Sequence, residues 1–326
     1  MGDFSISQET FDSLEEGWSA LLPGSPNNTV FATPTWQRLW WDEFGADHEL
    51  MLFSFRRGGQ LEAVVPLMTK DGHLSFVGSA DVCDYMDVIV RQGSEKEVYT
   101  SLADHVMALD WKILSLSGIS AHSPTFRLLP DLLRDQGLSV EVRAEDVCPK
   151  VILPATWDDY LSSLRKKDRH ELRRKMRRLY NTGDARYHVV QNSAAFSREL
   201  EEFLVLLVNS RADKAQFMTS ERRDFFHSAL SRMAEGGCVR LLFLELDGVR
   251  VSSAVCFDYN DSFLLYNSGY DNNYASLSVG LLLKAFCLKE AIAVGRKQFD
   301  FLRGSEAYKY HLGAKDEPVY RISASR

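Results

Sequence analysis

The sequence predicts an α/β protein of the α+β kind, made of two tandem domains that each carry a mostly antiparallel sheet flanked by helices. Three observations predict it. A chain of 326 residues is longer than one hydrophobic core usually spans, so two domains of about 150 residues each are expected. Each half holds three consecutive strand-like apolar runs divided by turn dipeptides. In each half those runs are followed by helical stretches and a further strand, the order of an α+β layer.

The first half, 1–150, opens with FATPTWQRLWWDEFG, in which Trp36, Trp40, Trp41 and Phe44 have the spacing of one side of a helix and read as core packing. Apolar runs at 50–56, 60–69 and 73–78 follow, separated by Gly58-Gly59 and Asp71-Gly72, dipeptides that supply the positive φ of tight hairpins. A helix around 95–109, a strand at 111–118, a helix near 124–136 and a strand near 138–144 complete the half. The segment Cys83-Asp84-Tyr85-Met86-Asp87 is expected to face the cleft between the halves. With no glycine-rich donor loop of its own, this half is expected to hold no donor site and to shape the acceptor side.

The boundary falls near 146–157, where two prolines stand in DVCPKVILPATWDD. The second half, 151–326, begins with a helical stretch in which residues 165–178 hold nine Lys or Arg against Asp168 and Glu171. Leu161, Leu164, Leu172, Met176 and Leu179 share one face of it, so the cations are either a solvated exterior or an anion-binding face that includes Arg169 and Arg173. Strands follow at 238–246, 249–259 and 262–270, joined at Asp247-Gly248 and Asn260-Asp261. Ser278 is placed to cap a helix from Val279 to about Val294, Gly295 to stop it, and 297–303 to form the next strand. That helix is apolar nearly all round, which predicts burial between layers.

Composition removes several functional classes. With 45% hydrophobic and 25% charged residues the chain is an ordinary globular protein. A net charge of -7 argues against a surface devoted to nucleic acid, although a local basic patch still suits a phosphate. No apolar run approaches the roughly 18 residues that a bilayer requires, and the acidic start lacks the marks of a signal peptide, so a cytoplasmic protein is expected. Five cysteines without a C-x-x-C pair read as buried thiols, and eight scattered histidines suggest no metal.

The stretch YNSGYDNNYASLSVGLLLKAF joins a strand to a helix whose first turn offers free N–H groups and the positive end of a dipole to an anion such as a pyrophosphate. Any capped helix shares those features, so context must decide. Residues 266–314 resemble the GNAT-like acyltransferases called cellulose-biosynthesis CelD-like proteins, relatives of the Fem peptidyltransferases. The resemblance rests on Gly269-Tyr270-Asp271, Ser278-Val279-Gly280, Asp300-Phe301-Leu302-Arg303-Gly304, Glu306 and Tyr308-Lys309, with Val279 standing where the family usually has proline. It extends more weakly to 147–179, to 209–217 and to the early FATPTWQRLWWDEFG. It implies two GNAT-like domains, a donor groove in the second, and acyl transfer to an amine or hydroxyl.

On that footing the expected donor-binding residues are Tyr266, Gly269, Tyr270, Ser278, Val279 and Gly280, and acyl-CoA, such as acetyl-CoA, is the expected co-substrate rather than a resident cofactor. Attack by an amine on a thioester needs a proton acceptor, donors for the oxyanion and a proton for the thiolate. Tyr308 or Tyr274 suits the thiolate, the backbone near Gly269 and Tyr270 the oxyanion, and Asp300 or Glu245 the amine proton. Lys309 and Arg303 supply fixed charge, and the resemblance places Lys309 first; its replacement by Met should stop transfer and leave the fold intact. The plainer alternative is that Asp300, Arg303, Glu306 and Lys309 pair with one another as a structural network. Arg211, Lys214 and Phe217 fall where the family has acceptor-side residues, although a loop of ordinary charge fits as well. The expectation is an acyl-CoA-dependent N-acyltransferase acting without metal on an amino sugar or another envelope or polysaccharide precursor. The alternatives are a Fem-like aminoacyltransferase that takes its donor from aminoacyl-tRNA and a non-catalytic GNAT-like scaffold.

Overall fold

The computed structural model describes residues 4–190 and 195–326. The chain order is β1 (Ser5–Gln8), α1 (Phe11–Leu21), α2 (Pro34–Phe44), β2 (Glu49–Arg57), β3 (Gln60–Lys70), β4 (His73–Phe76), β5 (Ile89–Val90), α3 (Glu95–Ala108), β6 (Ile113–Ser120), α4 (Pro124–Asp135) and β7 (Ser139–Val147). It continues with β8 (Lys150–Ile152), α5 (Trp157–Ser163), α6 (Lys166–Thr182), β9 (Ala185–Val190), α7 (Phe196–Ser210), α8 (Ala212–Phe217) and α9 (Ser220–Glu235). The remainder is β10 (Val239–Leu246), β11 (Val249–Tyr259), β12 (Ser262–Tyr270), α10 (Val279–Ala293), β13 (Gln298–Asp300), α11 (Ala307–His311) and β14 (Pro318–Ser325).

Two compact units result, each with its own mixed sheet. Among the described residues, the first orders its strands β1-β2-β3-β4-β6-β14-β7, with β5 on β3, and β4 and β6 run parallel while the other pairs are antiparallel. The second is ordered β8-β13-β12-β11-β10-β9, and β12 and β13 run parallel while the other described pairs are antiparallel. Both are mostly antiparallel and flanked by helices, as the hairpin signals predict. Asp247-Gly248 and Asn260-Asp261 take positive φ at both turn positions, the geometry that matches strand twist in two-residue hairpins. In the second unit α7 and α10 both pack on β11 and β12, and α9 packs on β10. The interior of α10 is buried from Val279 to Ile292, as its apolar circumference requires.

The structure departs from the sequence reading in four places. The second half does not keep its last strand: the first unit takes 4–147 together with 317–326, and β14 lies between β6 and β7. Val319, Ile322 and Ala324 of β14 are buried there, so the strand fills a slot that β6 and β7 would otherwise leave open. The basic helical stretch is interrupted, with α5 ending at Ser163 and α6 starting at Lys166. The strand expected at 297–303 pairs over 298–300 alone. Cys238 is half-buried, whereas Cys83, Cys148, Cys256 and Cys287 are buried thiols as expected.

Trp36 and Trp40 lie in the core on α2 as expected, whereas Trp41 and Phe44 of the same cluster are only partly buried. Within 83–87, Cys83, Tyr85, Met86 and Asp87 are buried, with the Trp36 indole 3.2 Å from Cys83 Sγ and the Asp87 carboxylate accepting from Thr125. Burial pushes the Asp87 carboxyl up to about 6, against the hydrogen bonds from Ser123 and Thr125. Among the described residues no helix is long and apolar enough to cross a membrane.

Helix α7 crosses β12 where Gly269 has no side chain. A methyl group there would meet the backbone of Leu206 and Leu207, which has no rotamer with which to yield. Gly269→Ala is therefore expected to destabilise the second unit by about 2 kcal/mol or more, as overpacking against backbone does. Urea unfolding checks this; a loss under about 0.5 kcal/mol would mean that the α7 contact is looser than described.

Candidate functional site

The site begins with unequal strand lengths. β13 pairs with β12 only at Ser262, Phe263 and Leu264, and then ends at Asp300. β12 runs on to Tyr270 beside β11, with a bulge opposite the Val255/Cys256 step that falls at Tyr266. The far end of β12, the start of α10, α11 and α8 enclose a cavity of about 320 Å3.

Each wall has a local cause. At the α10 entry, Ser278 adopts φ 60°, ψ 33° and its hydroxyl does not cap the helix. It accepts instead from Lys175 Nζ of α6 at 2.7 Å, while the Ser278 carbonyl accepts from the amides of Leu281 and Leu282 at 3.0 Å. The capping role expected of Ser278 is thus replaced by a left-handed turn. Val279, Gly280 and Leu281 line the cavity at a helix start, where the N–H groups of Val279 and Gly280 precede the first bonded amide, that of Leu281. Tyr270 leans over Gly280, and a Cβ on Gly280 would come within 2.9 Å of its ring.

On the opposite wall, α11 is pinned from behind. Tyr160 of α5 donates to the Leu312 carbonyl at 2.9 Å, and His311 Nδ1 lies 2.9 Å from Asp168 of α6. Asp168 also takes Arg165 at 2.6 Å; burial opposes its charge, but the Arg165 and His311 bonds hold the carboxyl below its ordinary value. This anchoring presents Tyr308 to the cavity. Burial raises the Tyr308 phenol far above its ordinary value, so it stays protonated.

Two amines complete the lining. Lys214 of α8 donates to Asn267 Oδ1 at 3.1 Å and to the Ser268 carbonyl. Lys284 of α10 donates to the Gly280 carbonyl at 3.1 Å and lies 4.7 Å from the Tyr308 ring centroid. Burial pulls both amines down to about 8, and the Lys284 and Arg211 charges add to the effect on Lys214. Arg211 is paired with Asp213 at 2.8 and 2.9 Å. Glu306 forms an ion pair with Lys309 at 2.9 Å; burial works against its charge, yet the Lys309 hydrogen bond keeps its carboxyl below the ordinary value.

The cavity gathers Arg211, Lys214, Tyr270, Ser278, Val279, Gly280 and Tyr308 from the residues singled out in the sequence. Others face elsewhere. Lys309, 1% exposed, donates to the carbonyls of Leu302, Arg303 and Gly304 at 2.9, 2.7 and 2.9 Å, so its ammonium is consumed in holding that turn. Asp300, 2% exposed, accepts from the Leu302 amide at 2.8 Å and lies 3.6 Å from Lys150. Arg303 contributes its carbonyl to Lys309. Lys309 and Glu306 thus pair as the structural alternative anticipated. Glu245 sits 3.5 Å from Arg250 on β10. Tyr266 is stacked 5.4 Å from Phe226 and lies 4.9 Å from Phe257. Gly269 packs under α7, Tyr274 against the apolar core, and Phe217 beneath the Arg222 guanidinium at 4.5 Å. Arg169 donates to the Ser162 carbonyl at 2.9 Å, and Arg173 is exposed.

The sequence reading missed Lys284 at the site. Its signal was present: one lysine inside LLLKAF, a stretch whose neighbours are all apolar, is costly to bury without a purpose. Among the described residues no group of His, Cys, Asp and Glu has a metal-holding arrangement.

Two outcomes follow from these contacts. Lys309→Met strips three carbonyls and Glu306 of their donor, so it is expected to cost about 3 kcal/mol or more in urea unfolding, contrary to an intact fold. A loss below about 1 kcal/mol would show that the ammonium does not hold the 302–304 turn. Lys284 behaves oppositely. Its folded pKa of about 8 lies below the unfolded value, so under pH 8 the amine is charged in both states and the burial penalty is fully present. Between about 8 and about 10.4 the unfolded chain binds more protons and stability rises with pH. Lys284→Met should therefore raise the melting temperature at pH 7 and flatten that rise; an unchanged pH profile would count against a buried amine.

Comparison with known proteins agrees with this geometry. Residues 166–310 match the family model described as an acetyltransferase (GNAT) domain, a span that runs from α6 into α11. A search of characterised protein sequences finds no match. Among solved structures, FemX superposes with a TM-score of 0.67 at 13% identity, covering 97% of this chain and 96% of that one. The C-terminal domain of a putative lysylphosphatidylglycerol synthetase from Agrobacterium fabrum gives 0.60 at 12% identity, over 97% and 92%. A tandem GNAT protein from the clavulanic acid biosynthesis pathway gives 0.51 at 12% identity, over 99% and 98%. At such identities the superpositions speak to fold, and the matched domain to the kind of protein. Residues 166–310 thus match an acetyltransferase (GNAT) domain, and the chain has the fold of two tandem GNAT-like α/β domains.

Proposed function

We propose that the second unit transfers an acyl group from acyl-CoA, acetyl-CoA being the simplest case, to an amine. The observation that carries this reading is the cavity at the α10 entry, where a first helical turn, Tyr308 and two amines of lowered pKa meet. The start of α10 receives the donor's pyrophosphate on the N–H groups of Val279 and Gly280. Gly280 lets the phosphates approach the backbone, with Tyr270 beside it. The open flank of β12 past Leu264 accepts the pantetheine amides as an added strand would.

In the chemical step the amine nitrogen attacks the thioester carbonyl carbon and the carbonyl oxygen becomes an oxyanion. The carbon–sulfur bond then breaks. Arg211, Lys214 and Lys284 make the cavity positive, which favours the unprotonated acceptor amine before attack. The proton lost from the amine passes to the Glu306 carboxylate at the cavity wall. Tyr308 gives its proton to the departing sulfur, and the Lys284 ammonium over its ring stabilises the phenolate. Lys309, Asp300 and Arg303 are positioning residues that hold the 300–306 turn behind Tyr308. The resemblance to CelD-like proteins supports an amino sugar or another envelope or polysaccharide precursor as acceptor, and a cytoplasmic setting.

A second reading is favoured by α6. Lys166, Lys167, Arg173 and Arg177 are exposed, and no carboxylate pairs with them among the described residues, so a polyanionic donor such as aminoacyl-tRNA fits that face. The two are separable. On the first reading acetyl-CoA raises the melting temperature, because it binds the native state alone. Tyr308→Phe then lowers kcat roughly 100-fold and leaves KM nearly unchanged. Binding of tRNA with a steep salt dependence, and no response to CoA, would transfer the case to the second reading. Silence toward both would leave a non-catalytic scaffold.

A further inference from the structure

The cavity's charge is unbalanced in a way that donor binding does not use. Lys214 and Lys284 both end in it, and among the described residues neither amine meets a carboxylate within ion-pair distance. Glu306, the acidic group of the lining, is already engaged by Lys309. Arg211 is engaged by Asp213. Each free amine is instead held by neutral oxygens: Asn267 and Ser268 for Lys214, Gly280 for Lys284. A neutral oxygen leaves the ammonium short of a counter-charge, and two such cations near one another in a sheltered space are unfavourable until an anion joins them.

The positions of the amines separate this anion from the donor's phosphates. On the acyl-CoA reading the donor phosphates are served by the N–H groups at the α10 start, where Lys175 donates to Ser278. Lys214 is tied to the end of β12 at Ser268, and Lys284 lies 4.7 Å from the ring of Tyr308, the group which that reading gives to the thiolate.

We propose that Lys214 and Lys284 form a clamp for a carboxylate or phosphate carried by the acceptor, so that the enzyme selects an amine bearing a negative charge over its neutral counterpart. This rests on the acyltransfer reading for the word acceptor, while the clamp itself is tested by binding alone. Two cations on one anion are worth more than either alone, because charge-assisted bonds are the stronger class. The clamp also orients: with the anion fixed at two points, the amine is carried toward the carbonyl above Tyr308.

The test uses the whole chain at pH 7 with N-acetylglycine and its uncharged amide, N-acetylglycinamide, as probes, titrated by calorimetry with and without saturating CoA. The expected result is that the charged probe binds at least about tenfold more tightly than the neutral one, also with CoA bound. Lys214→Met and Lys284→Met should each abolish the difference, and Lys284→Arg should retain most of it. Three results overturn the clamp: equal binding of the two probes, an unaffected difference in both Met variants, or loss of the charged probe's advantage once CoA is bound. The last would assign the amines to donor phosphate. Failure of CoA to bind sinks the acyl-CoA reading instead, and the titration without CoA still decides the clamp.

Discussion

Strand β12 has a partner along its length on one side and for three residues on the other. That inequality is the constraint on which the second unit depends. Where β13 stops at Asp300, the backbone of β12 beyond Leu264 meets no further strand on that edge among the described residues, and the space beside it is bounded by α10 and α11. An edge of this kind is a liability in a structural sheet. Here part of it is taken up at Ser268, whose carbonyl accepts from Lys214 and whose amide donates to Asn267 Oδ1.

Keeping that edge open demands rigidity around it, and the buried polar residues supply it. The 300–306 segment leaves β13 through Leu302 at φ 56° and Gly304 at φ 106°, a backbone course that needs an external hold. Lys309 provides it with three donors on three consecutive carbonyls, and Asp300 takes the Leu302 amide. Asp168 and Tyr160 fix α11 from the other side. Lys309 and Asp300, which most resemble catalytic groups in the sequence, are thus spent on holding a loop, while Tyr308, Lys214 and Lys284 line the cavity. A charged side chain met only by neutral oxygens keeps more of its charge unanswered than one that is also ion-paired.

Much of the architecture was legible because its signals are local. Asp247-Gly248 and Asn260-Asp261 allow two-residue hairpins, and the apolar circumference of α10 requires a buried layer. The helix start at Val279 was legible too, since the strand before it and the apolar run after it leave few other conformations. The helices α7 and α9 went unread because their alternation of charge and leucine suits several environments until a sheet face is there to receive them. β14 went unread for a related reason: its sequence PVYRISAS reads as a strand but does not say which sheet has a vacant slot.

Sequence by itself determined the two-sheet plan, the hairpin turns and the buried helix at Val279–Ala293, since those follow from backbone preference and from the period of apolar residues. Tertiary structure alone decided which charged residues face the cavity. Lys309 and Lys284 are both lysines near the same turn, and nothing in their spacing tells one from the other. The difference is that Lys309 meets three carbonyls and the Glu306 carboxylate whereas Lys284 meets the Gly280 carbonyl, and the turn that gathers Leu302, Arg303 and Gly304 is held against an α11 anchored on distant elements.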